Sequence, residues 1–377
     1  MLIARSILAR IRPPRLSPRE IQDQLDITQA AVLTAAYANA RKEQPAGAAS
    51  KSYGQIEKEI AALKPSAVKK RAQTSLNDQV VTYFNLVHAA KTALPPPAGA
   101  THGGENRLNN DRPGEGILST PSSSTTTIDD GEAEETAERT RVEAWRRNLL
   151  REMLRAELGF SIVVKESGVP GGGSGLFVDG SAPEGAVVAI FPGLVHLPEH
   201  LANEKHAASL LPDDDFFLMG RADGCLIDGR TAGSLPSSPL TFAHAANHPP
   251  AGRAANVLQV AYDFPALGET DVAIARGGRF PERLRPFVPN RYFKPPKALF
   301  GGKLDLSTMV ETVVLVTCRG GLHDEEVLMD YRFNPRMPHP EWYSPVDPDA
   351  AAKMWATDKR DRTAQALLEK PWFRRTP

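Results

Sequence analysis

The chain has 377 residues, and its 45 Lys+Arg balance its 45 Asp+Glu, so the formal net charge is zero. That balance argues against a protein that holds nucleic acid by bulk electrostatics, and the length suggests two or three folded units. A hydrophobic fraction of 41% is ordinary for a globular chain, while 32 prolines point to long loops or linkers.

Residues 1–16 form a basic N-terminal segment. Arg5, Arg10, Arg12 and Arg15 precede the first acid, Glu20, and Leu2, Ile3, Ile7, Leu8 and Ile11 recur at helical spacing. An Arg-rich, acid-poor, amphipathic start fits an organellar presequence of mitochondrial type and equally a frayed basic helix. Residues 17–95 follow as a helical module. Ser17-Pro18-Arg19-Glu20 reads as a capping box with proline at the first helical position. Apolar residues then recur at helical intervals: Ile21, Leu25, Val32, Leu33 and Ala36, then Ile56, Ile60 and Leu63, then Val80, Tyr83, Phe84 and Val87. Three or four short packed helices are expected, and nothing there suggests chemistry; His88 reads as structural. Residues 96–135 carry almost no large apolar side chains and read as a disordered linker. Order resumes with a leading helix whose apolar face is Val142, Trp145, Leu149, Met153 and Leu154.

From residue 160 the pattern changes to short β-branched or aromatic runs between Gly/Pro turns: FSIVVKES, GLFVDG, AVVAIFPGLVHL, CLIDG, NVLQVAYDF and TVVLVTCRG. Coil-like stretches lie at 198–220 and 265–308, and a partly helical tail at 334–377. The fold class is therefore α+β, with a β-rich domain behind a helical module. No apolar run reaches the roughly eighteen residues that a membrane span requires; the best, AVVAIFPGLVHL, is broken by Pro192 and Gly193. Cys225 and Cys318 have neither a second cysteine nor a histidine at zinc-ligand spacing, so they read as small buried hydrophobes.

The stretch GVPGGGSGLF, residues 168–177, invites a nucleotide reading that its context refuses. A phosphate loop needs a lysine, a Ser/Thr and a helix after it, and a dinucleotide fingerprint needs a helix; here a short strand follows. On its own the loop reads as a hairpin turn. Three later stretches give it company in a fixed order: LIDG, then FAHAANHPPAGRAAN, then TVVLVTCRGGLHDEEVLMDY. This succession resembles the SET-domain family of protein methyltransferases over about residues 158–333, and within it the group of SET domain-containing protein nine. The closer likeness is carried by PEGAVVAIFPG, LIDG, RAANV and VVLV.

The resemblance implies a SET fold of small curved sheets with a knot-like C-terminal threading over residues 136–333. It implies S-adenosylmethionine as cofactor and a protein substrate presenting a lysine, with no direct nucleic-acid partner. Gly172 and Ser174 match positions whose backbone holds the cofactor's methionine moiety, with Gly173 and Gly175 setting the turn. Asn247 and His248 match a cofactor-binding pair, the first by its amide and the second by its backbone. Tyr331 matches the catalytic tyrosine, beside both the methyl and the amine. Glu325 and Glu326 resemble a catalytic acid pair, but the family likeness gives them a structural role. Three departures bear on activity: Phe191 and Gln259 stand where the family has tyrosines, and Met329 where a side chain tunes methylation number. Pro249 stands where a serine is usual, and no cysteine-rich cap follows; Trp342 and Tyr343 are candidates to cover the adenine or to anchor the tail. Two functions follow: methyl transfer to a protein lysine, or a catalytically inactive SET-type module that binds cofactor or partners.

Overall fold

The structure, a computed structural model, describes residues 17–41, 51–95, 130–210, 217–265, 280–294, 310–336 and 339–356. Helix α1 (Pro18–Arg41) starts at the expected capping box: the Glu20 amide donates to Ser17 Oγ at 3.2 Å, and the Ser17 amide donates to the Glu20 carboxylate at 2.6 Å. Helix α2 (Tyr53–Ala62) opens on a second box made by Ser52 and Gln55. Pro65 then does two jobs, closing α2 and occupying the first turn of α3 (Pro65–Thr92). The helices are longer than their apolar spacing suggests, 24 residues in α1 and 28 in α3, because neither interior contains a glycine or proline to interrupt it.

Helix α4 (Asp130–Leu158) begins inside the stretch read as linker. Low hydrophobicity there marks the lack of a core face, whereas Glu, Ala and Arg still favour a helix. Residues 96–129, the basic segment 1–16 and the tail from 357 lie outside the described residues. Of the expected helical tail, Pro348–Met354 is helical (α7).

Among the described residues, ten strands form three small open sheets. One has the order β1 (Phe160–Glu166), β2 (Ser174–Ala182), β10 (Leu322–His323); the second β3 (Val187–Ile190), β9 (Glu311–Thr317), β7 (Val257–Asp263). The third runs β5 (Leu218–Gly220), β6 (Leu226–Asp228), β4 (Gly193–His196), β8 (Asn290–Tyr292). This is an α+β arrangement consistent with a SET fold. The two stretches read as coil are partly ordered: α5 (Pro198–Leu201), α6 (Glu204–Ser209), β5, a 3-10 turn at Glu282–Phe287 and β8 lie in them. Each is too short to express a helical or strand period.

Module and sheets share one core. Leu33, Leu76, Tyr83 and Phe84 are buried in the same cluster as Leu176, Val188, Val260 and Leu315. Phe84 stacks on Phe264 and meets Phe280 edge-on, with ring centroids 6.2 and 6.1 Å away. Polar splices cross the same seam. The Gln79 amide donates to the Gly185 carbonyl at 3.0 Å and accepts from the Val187 amide at 2.8 Å; Tyr262 donates its hydroxyl to Asn77 at 3.0 Å. His88 packs beside Phe287. Among the described residues, no helix is long and apolar enough to cross a membrane.

The segment after β10 lies between β2 and the 247–256 stretch and is bonded to both. The Val178 amide donates to the Glu325 carbonyl (2.9 Å) and Val327 to Leu176 (2.7 Å); Met329 donates to Asn247 (2.8 Å) and Asn256 to Leu328 (3.1 Å). This threading carries Glu326 and Tyr331 into the neighbourhood of the glycine loop.

Candidate functional site

The glycine loop joins β1 to β2. It is closed by the Ser167 amide donating to the Gly173 carbonyl at 2.8 Å and by Gly172 donating to Val169 at 2.9 Å. Its glycines meet two different requirements. Gly171 and Gly173 have φ of 74° and 60°, the left-handed region that glycine enters freely. At Gly172 a Cβ would stand 2.9 Å from Ser167 Oγ and 3.1 Å from Asn247 Nδ2, and at Gly175 it would overlap the Glu326 carboxylate.

Glu326 is the hub beneath the loop. Only 4% exposed, it accepts from the Ser167 hydroxyl at 2.5 Å, the Gly168 amide at 2.9 Å and Asn247 Nδ2 at 3.2 Å. Three donors on one carboxylate fix the loop's exit from β1. The structural role expected of Glu326 is what the geometry provides, while Glu325 is half-buried near Arg253.

Asn247 spends its amide nitrogen inside the protein, on Ser167 Oγ (2.9 Å), the Ser174 carbonyl (3.0 Å) and Glu326. What its side chain can offer a ligand is therefore the Oδ1 acceptor rather than a donor. His248 has both ring nitrogens engaged. Nδ1 accepts from the Tyr331 amide at 3.2 Å, so Nε2 carries the proton and donates to the Ser344 carbonyl at 2.8 Å. That ring has no nitrogen left for a metal or for proton transfer, and among the described residues no His/Cys/Asp/Glu group could hold a metal ion. Both cysteines are free, Cys225 buried and Cys318 half-buried.

Tyr331 donates its hydroxyl to the Ala246 carbonyl at 3.1 Å. Its ring packs on His248, Phe333 and Trp342, with centroids 5.4, 5.5 and 6.1 Å away. Burial pushes its hydroxyl up to about 12, so it stays protonated at neutral pH. With its proton committed to Ala246, the phenolic oxygen faces other groups as an acceptor.

An open cleft of about 1890 Å³ brings together Gly171, Gly172, Ser174, Asn247, His248 and Tyr331. Gly173 and Gly175 shape the loop without lining it. Trp342 and Tyr343 divide the two roles considered for them. Trp342, half exposed, lines the cleft, whereas Tyr343 is buried against His248 and Phe333 and accepts from the Phe333 amide at 3.0 Å. Phe191, Gln259 and Met329 do not line this cleft. Phe191 and Met329 are buried in the core, and Gln259 donates its amide to the Asp330 carbonyl at 2.5 Å. Further aromatic lining comes from residues given no role in the sequence analysis. Phe217, Phe242 and His244 form a ring cluster on the cleft wall, with His244 6.1 Å from Phe217 and 5.9 Å from Phe242. Their spacing in sequence carries no period, so only the fold could assemble them.

The acceptors suit the ammonium end of an amino-acid-like ligand. Carbonyls and Asn247 Oδ1 offer acceptors to an ammonium, glycine backbone permits close approach, and Trp342 presents a ring face at the edge.

No family model matches the chain. Among curated proteins it is similar to SET domain-containing protein 9 of Homo sapiens, 26% identical over 209 residues that make up 48% of this chain and 60% of that protein. It is equally similar to SET domain-containing protein 9 of Pongo abelii, at 26% over 209 residues, 48% of this chain and 66% of that protein. The chain therefore spans under two thirds of the length of the relatives it matches. Half of the chain carries the similarity, and the three-sheet fold with its threaded C-terminal segment agrees with it. Over about half of its length the chain is thus similar in sequence to SET-domain proteins, and its α+β fold of small sheets is consistent with theirs.

Proposed function

We propose that the protein transfers a methyl group from S-adenosylmethionine to a lysine of a protein substrate. The observation that carries the reading is the convergence of the glycine loop, Asn247, His248 and Tyr331 on one cleft. When bound, the cofactor supplies an electrophilic sulfonium methyl. The loop carbonyls and Asn247 Oδ1 accept from the ligand's ammonium, and Trp342 covers a flat ring at the cleft edge. Phe217, Phe242 and His244 give the aliphatic stem of a lysine an apolar wall and strip water from its amine.

Tyr331 then orients the amine. Its hydroxyl proton is held by Ala246, so its oxygen accepts an N–H from the neutral amine and aims the nitrogen lone pair at the methyl. With its own pKa up at about 12 it is no proton sink at neutral pH. The amine has to arrive deprotonated, and the acceleration rests on alignment and desolvation. Calorimetric titration with S-adenosylmethionine, followed by transfer of tritiated methyl to a protein extract, tests the reading; binding without transfer to any protein refutes the enzyme.

A second reading has its own support. Phe191 and Met329 are buried in the core, Gln259 is spent on Asp330, and none supplies a hydroxyl to the cleft. A SET-type module that binds cofactor and does not transfer methyl predicts a normal titration and no label.

A further inference from the structure

Residues 329–334 belong to neither helix nor strand, so the placement of Tyr331 depends on its own bonds to His248 and Ala246 and on the bonds made by its neighbours. Gln259 holds the Asp330 carbonyl, and the Asp330 carboxylate accepts from the Arg332 amide at 3.0 Å. The Trp355 indole donates to the Arg332 carbonyl at 3.0 Å. Arg332 itself has φ of 54°; among the described residues the one other non-glycine with positive φ is Asp324. A long L side chain enters that region only where its surroundings force it.

The forcing group comes from α1. The Arg332 guanidinium forks onto Asp26, with contacts of 2.6 and 3.2 Å. Asp26 is 8% exposed at its side chain, and Gln22 steadies it by donating to Oδ1 at 3.0 Å. About two turns before Asp26, Arg19 lies over the Trp355 ring, 4.9 Å from its centre. The first helix thus holds both the side chain of Arg332 and the indole that grips its backbone.

The geometry points to Asp26 and Arg332 as positioning residues for methyl transfer: α1 fixes the backbone that presents Tyr331. This rests on the reading of Tyr331 as the group that orients the amine. The helical module has other attachments to the sheets, through Gln79 and Asn77, that a purely structural role would satisfy. The Asp26–Arg332 pair differs in acting on the residue after Tyr331. Without it, φ at Arg332 relaxes and the preceding ring moves, while the glycine loop and Asn247 keep their bonds. Alignment suffers and cofactor binding does not.

The test uses the full chain with Asp26→Asn, which is close to isosteric, Arg332→Lys, which keeps the charge and loses the fork, and Glu59→Gln as control. Glu59 makes an exposed pair with Lys51 in the same module. Three quantities are read: the rate of tritiated methyl transfer to a protein extract at saturating S-adenosylmethionine, cofactor Kd by calorimetry, and hydrogen exchange across 329–334 and 167–175. Asp26→Asn lowers the saturated rate roughly tenfold to a hundredfold, the scale of an ångström-sized misplacement. Its cofactor Kd stays within about twofold, and exchange rises at 329–334 alone. Arg332→Lys shows the same pattern more weakly and decides the matter if Asp26→Asn does not fold; Glu59→Gln changes nothing. Unchanged exchange at 329–334 in a folded Asp26→Asn overturns the inference, as does a rate loss no greater than the control's. If the parent transfers no methyl, raised exchange at 329–334 upholds the clamp and removes the role given to Tyr331.

Discussion

Replacing Glu326 by glutamine separates a carboxylate that organises the ligand loop from one that only fills the core. The parent side chain accepts three hydrogen bonds, from Ser167, Gly168 and Asn247. Glutamine offers one oxygen and one amide nitrogen in its place. The oxygen keeps the Gly168 amide. The nitrogen then faces Ser167 Oγ, which turns to accept, and Asn247 Nδ2, which can only donate. Charge assistance is lost throughout and one contact becomes donor against donor. Bonds to charged groups contribute about 1.5–3 kcal/mol and neutral ones about 1 kcal/mol, so the exchange costs about 2–3 kcal/mol. If that cost falls on the loop, apparent affinity for S-adenosylmethionine drops by about thirtyfold to 150-fold. The assay is calorimetric titration beside a thermal melt, with hydrogen exchange read over residues 168–173. A protein that melts lower but binds within twofold of the parent would show that Glu326 anchors the core and leaves the loop to organise itself.

Tyr331→Phe removes one hydroxyl and keeps the packed ring, so stability falls by about 1 kcal/mol or less while methyl transfer falls roughly a hundredfold; equal rates in parent and variant refute the orienting role. Gly173→Val meets no neighbour within 4 Å but carries a β-branched side chain to φ of 60°. Backbone strain alone should cost about 1–2 kcal/mol and, borne by the loop, weaken cofactor binding about fivefold to thirtyfold in a folded protein; unchanged affinity removes the loop from the site. Gly175→Ala pushes a methyl into the Glu326 carboxylate, and a melting temperature equal to the parent's would contradict that packing. Burial, and then the neighbouring His206, push His196 down from 6.5 to about 4. Its ring is neutral when folded and protonates more readily when unfolded. The stability it contributes is complete above pH 6.5 and is lost as pH falls through about 4, so melts across that range should decline less steeply in His196→Gln.

The local code was readable wherever one short-range rule decided the outcome. Ser17 and Glu20 announced the start of α1, and the β-branched runs located β1–β4, β6, β7 and β9. Strands of two or three residues, such as β5, β8 and β10, exist because a neighbour pairs with them, and no period can appear in so few residues. At the site, the order of motifs identified Gly172, Ser174, Asn247, His248 and Tyr331, which the fold does bring together. It did not tell which atoms remain available. That Asn247 spends its donors on Ser167 and Glu326 follows from the distance between three separate segments. The ring cluster of Phe217, Phe242 and His244 and the pairing of Asp26 with Arg332 are likewise products of long-range packing.

The shared core has a consequence for how the chain is made. Val80, Tyr83, Phe84 and Val87 of α3 pack in the same cluster as Val314, Leu315 and Val316 of β9, more than two hundred positions later in synthesis. While the ribosome is still adding the intervening residues, α3 can wind and pack on α1 but cannot complete this cluster. Contacts so distant in sequence slow folding and leave apolar surface exposed until the later segments arrive. A nascent chain arrested before residue 264 should therefore remain open to protease around Phe84 of α3, however complete its helix, and close only once Phe264, Phe280 and Phe287 have emerged.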